Sequence, residues 1–152
     1  MTTVIITDGS ADNISGQGGW CAIVRTGRSV KELVGHEPQT TSNRMELTAA
    51  IEGLRSLSVP TDVTLVADSS YLLNTLKNKW YEQWFQEKRG KPRPNMDLWH
   101  QLVGLIHFHN VTFVKVKGHS GDYWNTRADK LAAHARVNRI TSLNTYDADA
   151  AP

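Results

Sequence analysis

Four short segments place an acidic residue where a regular element begins or ends: Thr7-Asp8-Gly9-Ser10, Asn43-Arg44-Met45-Glu46-Leu47, Ala67-Asp68-Ser69-Ser70 and Asn125-Thr126-Arg127-Ala128-Asp129. Carboxylate oxygens and water are the ligands that hard divalent cations such as Mg²⁺ prefer. Two such ions about 3.5–4 Å apart can activate water and stabilise the leaving oxygen at a phosphodiester. Four carboxylates would balance two ions. Taken singly, each acid has a plainer explanation. Asp8-Gly9 is a turn signal, and Asn43 with Glu46 three residues later fits a capping-box helix start. Asp68-Ser69-Ser70 can cap the helix that follows, and Asp129 fits a solvated helix face.

The surrounding elements decide whether these acids can meet. Val4-Ile5-Ile6 is a short β-rich run that stops at Asp8, and Gly16, Gly18 and Gly19 mark a turn before a strand over 20–25. Thr26-Gly27-Arg28-Ser29 makes a second turn before a strand over 30–35. Three β segments with brief glycine-bearing loops read as an antiparallel meander. From Asn43 the period changes to that of a helix, with Leu47, Ile51 and Leu54 on one face. After Pro60-Thr61-Asp62 the run 63–67 reads as a strand ending at Asp68, so a helical crossover returns the chain to the same sheet. Helices are expected over 71–76, 97–108 and 125–137, with a strand over 111–116. The expected domain spans 1–140, and 141–152, poor in apolar residues, is expected to be a flexible tail.

In that arrangement Asp8 and Asp68 terminate neighbouring strands, and ligands in open α/β sheets gather outside the carboxyl ends of strands. The first turn of the helix from Asn43 brings Glu46 to the same edge, where the helix dipole favours a carboxylate.

Composition bounds the rest. The chain has 152 residues, 39% hydrophobic and 21% charged, the size and balance of one globular domain rather than a disordered segment. No apolar run approaches the roughly 20 residues of a membrane span, and the N-terminus has no secretory pattern, so a cytoplasmic location is expected. Cys21 is the only cysteine; it excludes an intrachain disulfide and a Cys-rich zinc site, and it reads as a small buried hydrophobe. A net charge of +2 does not diagnose a nucleic-acid binder. The local patch says more: Trp80 and Trp84 stand four residues apart, followed by Lys88, Arg89, Lys91 and Arg93. Ring faces in a positive groove suit nucleic acid, although tryptophans at that spacing can also pack in a core.

With these segments together, the chain resembles the type 1 ribonuclease H family, enzymes that cut the RNA strand of RNA–DNA hybrids. The resemblance rests on Thr7 to Ser10, Thr40 to Leu47, Asp68-Ser69-Ser70-Tyr71, Asp97-Leu98-Trp99, Val116-Lys117-Gly118-His119-Ser120-Gly121 and Asn125 to Asp129, in family order over roughly residues 3–137. It implies an α/β ribonuclease H-like fold: a five-stranded mixed sheet, three antiparallel strands and two reached by helical crossovers, with helices on both faces. It implies Asp8, Glu46, Asp68 and Asp129 as catalytic ligands of two Mg²⁺ ions, with Mn²⁺ a possible substitute, and His119 as an aid to proton transfer or product departure. The products would be a 5′-phosphate and a 3′-hydroxyl. Gly9, Ser10 and Glu46 would read the 2′-hydroxyl. Thr41, Ser42, Asn43 and Ser70 would contact the hybrid, and Trp80, Trp84, Lys88, Arg89, Lys91 and Arg93 would form the basic protrusion that grips the DNA strand. The expected partner is the hybrid alone, with no membrane, no obligate protein partner and a monomeric enzyme.

The chain departs from the family pattern at three places. Asp12-Asn13-Ile14-Ser15-Gly16 stands where Gly-Asn-Pro-Gly is usual, Ser42 and Ser70 stand where Asn and Gln are common, and the loop from Lys88 to Asn95 is short. None is a proposed metal ligand. Two competing readings are another nuclease of the same superfamily and a hybrid-binding module without catalysis. Retention of four mutually repelling carboxylates argues against the second.

Overall fold

The run Trp20 to Val24 has no polar alternation because its strand is covered on both faces. That strand, β2 (Gly18–Thr26), lies between β1 (Thr3–Ala11) and β3 (Ser29–Glu37), antiparallel to both. The structure is a computed structural model and describes residues 2–87, 93–117 and 122–148. Helix α1 (Ser42–Arg55) crosses to β4 (Asp62–Ala67), which pairs parallel with β1. Helices α2 (Ser70–Lys77), α3 (Trp80–Gln86) and α4 (Met96–Phe108) then lead to β5 (Asn110–Lys115), parallel to β4. Helix α5 (Tyr123–Asn138) and strand β6 (Ser142–Asp147) complete the chain, and the sheet order is β5-β4-β1-β2-β3-β6.

The mixed sheet with helices on both faces agrees with expectation, but it has six strands rather than five. The added strand, β6, lies in the segment expected to fray. It pairs antiparallel with β3 from Ser29↔Asp147 to Val34↔Ser142. An edge strand can form from a largely polar segment because its ladder, not its burial, supplies much of its stability.

Side-chain alternation divides the core into two layers. Ile5, Ala22 and Val24 face α1, whose Leu47, Ile51 and Leu54 are almost wholly buried. Burial of that kind stabilises by about 1.5–3 kcal/mol per large aliphatic side chain. Ile6, Cys21 and Ile23 face the other way, against Ala128, Ala132 and Ala135 of α5. The alanines let α5 sit very close: a Cβ on Gly19 would lie 2.2 Å from the Ala132 carbonyl oxygen. Cys21 is fully buried, as its apolar neighbours imply. No helix among the described residues is long and apolar enough to cross a membrane.

Candidate metal and active site

Register brings the first two acids together. Ile6 pairs with Val66 in the parallel β1–β4 ladder, so Asp8 and Asp68, each two residues further on, stand side by side just beyond it. Strand β1 does not stop at Asp8 as expected but runs on to Ala11, because β2 continues to pair with it. Asp68 is not the helix cap: Ser69 caps α2, its hydroxyl accepting from the Leu72 N–H at 3.1 Å. Nor does Asn43 begin α1. Thr41 is the cap and accepts from the Arg44 N–H at 3.2 Å, which leaves Glu46 free of any capping role.

Gly9 lets the third acid approach. A Cβ there would lie 2.5 Å from the Met45 carbonyl carbon, so only glycine allows α1 to pack this closely on β1. In that contact the Gly9 N–H donates to Asp8 Oδ1 at 2.9 Å and to Glu46 Oε1 at 3.3 Å. Asp8, Glu46 and Asp68 each present a carboxylate oxygen within 4.8 Å of the others. Asp129, exposed on α5, stands outside that set of three, but its carboxyl is near enough to raise that of Asp8.

Crowding of like charge governs the electrostatics. Burial, then the charges of Asp8 and Asp68, holds the Glu46 carboxyl far above the usual carboxylate range. Burial, then the neighbouring carboxyls of Asp129 and Asp68, raise that of Asp8. Glu46 Oε2 is buried with no hydrogen-bond partner. A buried carboxylate oxygen left unpaired is costly, and a divalent cation is the ligand that would satisfy it while removing the mutual repulsion. The donor set, all oxygen, fits Mg²⁺ or Mn²⁺.

The residues expected to contact substrate sit on several elements. Ser10 is half-buried near the end of β1. Ser42, at the start of α1, accepts from the Ala11 N–H at 3.1 Å and so fixes that end of β1. Asn43 and Trp84 line a cavity of about 190 Å³ with Tyr71, Arg93, Pro94 and Asn95. The tryptophan pair divides its roles. Trp84 packs edge-on against the buried Trp99, ring centroids 5.9 Å apart, whereas Trp80 is 46% exposed. Arg93 lies over the Trp84 ring at 5.1 Å and donates to both Glu87 oxygens at 2.8 and 2.9 Å. Lys88, Arg89, Lys91 and His119 lie outside the described residues.

Sequence reasoning missed two features. Lys115, opposite Ala67 at the end of β5, reaches the Ser70 hydroxyl beside Asp68. The buried face behind the cavity is tied at the Tyr71 hydroxyl, which accepts from Asn95 Nδ2 at 3.2 Å and Trp99 Nε1 at 2.8 Å. Asn95 also accepts from Arg44, which clamps Asp97 with two bonds of 3.0 and 2.8 Å. The Pro94-Asn95 turn signal before α4 could have pointed to this junction.

Comparison with known proteins agrees with this geometry. The RNase H family model matches residues 1–137. The chain is 46% identical over 139 residues to the ribonuclease H of Prosthecochloris aestuarii, an alignment covering 89% of this chain and 95% of that one. It is 47% identical over 135 residues to the ribonuclease H of Chlorobium luteolum, covering 86% and 92% respectively. A solved structure, described as a type 1 RNase H with the type 2 active-site motif, aligns with a TM-score of 0.81 over 96% of this chain and 77% of that chain at 26% identity. From the acidic cluster, the mixed sheet and the extent of these matches, the chain belongs to the ribonuclease H family of nucleases.

Proposed function

We propose that this nuclease is an endoribonuclease that hydrolyses the RNA strand of RNA–DNA hybrids, leaving a 5′-phosphate and a 3′-hydroxyl. The observation that carries the proposal is the convergence of Asp8, Glu46 and Asp68 within 4.8 Å, with one Glu46 oxygen buried and unpaired. Asp8, Glu46, Asp68 and Asp129 would hold two Mg²⁺ ions, or Mn²⁺ in their place. When bound, the ions supply a lowered pKa for an attacking water and positive charge for the departing 3′ oxygen.

The protein's own groups do the rest. Gly9 orients two ligands through one N–H. The backbone at Gly9 and Ser10, with Glu46, reads the 2′-hydroxyl, a donor and acceptor that DNA lacks. His119 moves a proton or assists product departure, a role an imidazole suits because it can both accept and donate a proton. Thr41, Ser42, Asn43 and Ser70 contact the hybrid. Trp80 and Trp84 with Lys88, Arg89, Lys91 and Arg93 grip its DNA strand, with affinity that falls as salt rises. The enzyme works as a cytoplasmic monomer.

The test is gel-resolved cleavage of labelled hybrid with Mg²⁺, beside single-stranded RNA, duplex RNA and duplex DNA, with Asp68→Asn as the control. Cutting confined to the RNA strand of the hybrid, and lost in the variant, is the expected result. Salt-sensitive hybrid binding without cleavage in Mg²⁺ or Mn²⁺ would replace the enzyme by a binding module.

A further inference from the structure

Away from the acidic cluster, a second buried carboxylate has its oxygens fully engaged. The Glu32 side chain, in the middle of β3, is 4% exposed. Arg127 of α5 donates to it twice, from Nε to Oε2 and from Nη2 to Oε1 at 2.8 Å. The Tyr146 hydroxyl of β6 donates to Oε2 at 2.8 Å. The β3–β6 register sets Asn144 directly opposite Glu32. The residues matched by the family model end at 137, so the Tyr146 donor from β6 lies beyond them.

Arg127 and Asp129 flank Ala128, which is fully buried against the sheet. Successive helical residues turn by about 100°. With Ala128 facing β2, Arg127 therefore leans towards β3 and Asp129 towards β1, where Asp8 waits. The face between them is a stripe of small residues, Ala128, Ala132 and Ala135, flanked by the partly buried Trp124 and Leu131, and these apolar contacts are not directional. A two-bond guanidinium–carboxylate contact resists rolling of the helix about its axis, because its geometry is directional.

We propose that Glu32, Arg127 and Tyr146 are positioning residues for metal binding: β6 holds Glu32, Glu32 holds Arg127, and this clamp fixes the roll of α5 that presents Asp129 to Asp8. The proposal rests on the functional reading above. Outer groups that orient ligands commonly change metal affinity about 10- to 100-fold when removed.

The experiment uses the full chain and titrates Mg²⁺ by calorimetry without substrate, then follows the Mg²⁺ dependence of hybrid cleavage. Tyr146→Phe should weaken Mg²⁺ binding about threefold and Glu32→Gln about tenfold. KM for the hybrid should stay unchanged in both, because neither side chain faces it. If Glu32→Gln fails to fold, Tyr146→Phe, which removes one hydroxyl from the single half-buried residue of an exposed edge strand, still decides. Wild-type Mg²⁺ affinity in a folded, active Tyr146→Phe variant, even one with a lowered melting temperature, would overturn the clamp and leave the enzyme assignment standing. Failure of the wild type to bind Mg²⁺ or cut hybrid would overturn both.

Discussion

Glu46 and Glu32 are buried to nearly the same degree, 8% and 4% exposed, yet their carboxyl groups are displaced in opposite directions. Burial disfavours the charged form of each. At Glu46 the neighbours are Asp8 and Asp68, which add repulsion, and the carboxyl is raised. At Glu32 the bonds from Arg127 and Tyr146 outweigh burial, and the carboxyl is lowered. One site is stable as folded. The other is frustrated until a cation arrives, which is the arrangement a metal-dependent enzyme needs.

The largest expected effect is on chemistry. Glu46→Gln or Asp68→Asn should reduce hybrid cleavage by about three orders of magnitude or more, since each removes a ligand rather than a binding contact. Substantial Mg²⁺-dependent activity in either purified variant would remove that residue from the ligand set. Arg127→Met makes Glu32 resemble Glu46, a buried carboxylate without its cation. Breaking such a pair should destabilise by about 2 kcal/mol, discounted from the fully buried case because Arg127 is 35% exposed. Urea denaturation at pH 7 measures it.

The two sites should also respond oppositely to pH. Glu32 has a folded-state pKa below the unfolded value of about 4.3. Its stabilisation is present above that value and is lost as pH falls through the folded one. Asp8 and Glu46 are raised, so without metal their contribution worsens as pH climbs from about 4 towards neutrality. Asp8→Asn should therefore raise the melting temperature by about 3 °C at pH 7 in chelator, with no gain at pH 4. Mg²⁺ should stabilise the wild type far more than the variant. Equal melting temperatures at pH 7 would mean that the repulsion is screened. The smallest effect is expected from Thr41→Ala, which loses the cap of the helix carrying Glu46 and should cost about 1 kcal/mol by thermal or urea unfolding.

How far the site could be read beforehand varied with the range of the interaction. Asp68 was legible because the β run of β4 stops just before it. Asp8 is reached by the same parallel ladder, but the stop read there was wrong, since β1 runs on to Ala11 against β2. The capping explanations for Glu46 and Asp68 failed because a neighbouring hydroxyl in each case, Thr41 or Ser69, does the capping. Asp129 was legible only through resemblance; periodicity marks it as an exposed helix position, and it is one. The tryptophan pair left two readings open: Trp84 packs on Trp99 as the core reading has it, and Trp80 is left out of that packing, 46% exposed. Strand β6 was not legible, because a mostly polar segment becomes a strand only when an unpaired edge such as β3 is beside it.

The amino-acid order by itself determined most of the elements and marked Asp8 and Asp68 as neighbours, since turn residues, helix period and β runs act over a few residues. Tertiary structure alone decided which carboxylate would be relieved by a cation of the protein and which left for a cation from solution. That choice depends on what lies across the sheet, at separations of 95 residues for Glu32 and Arg127 and 37 for Gly9 and Glu46. Electrostatic energy follows distance in space, and only the folded chain sets those distances.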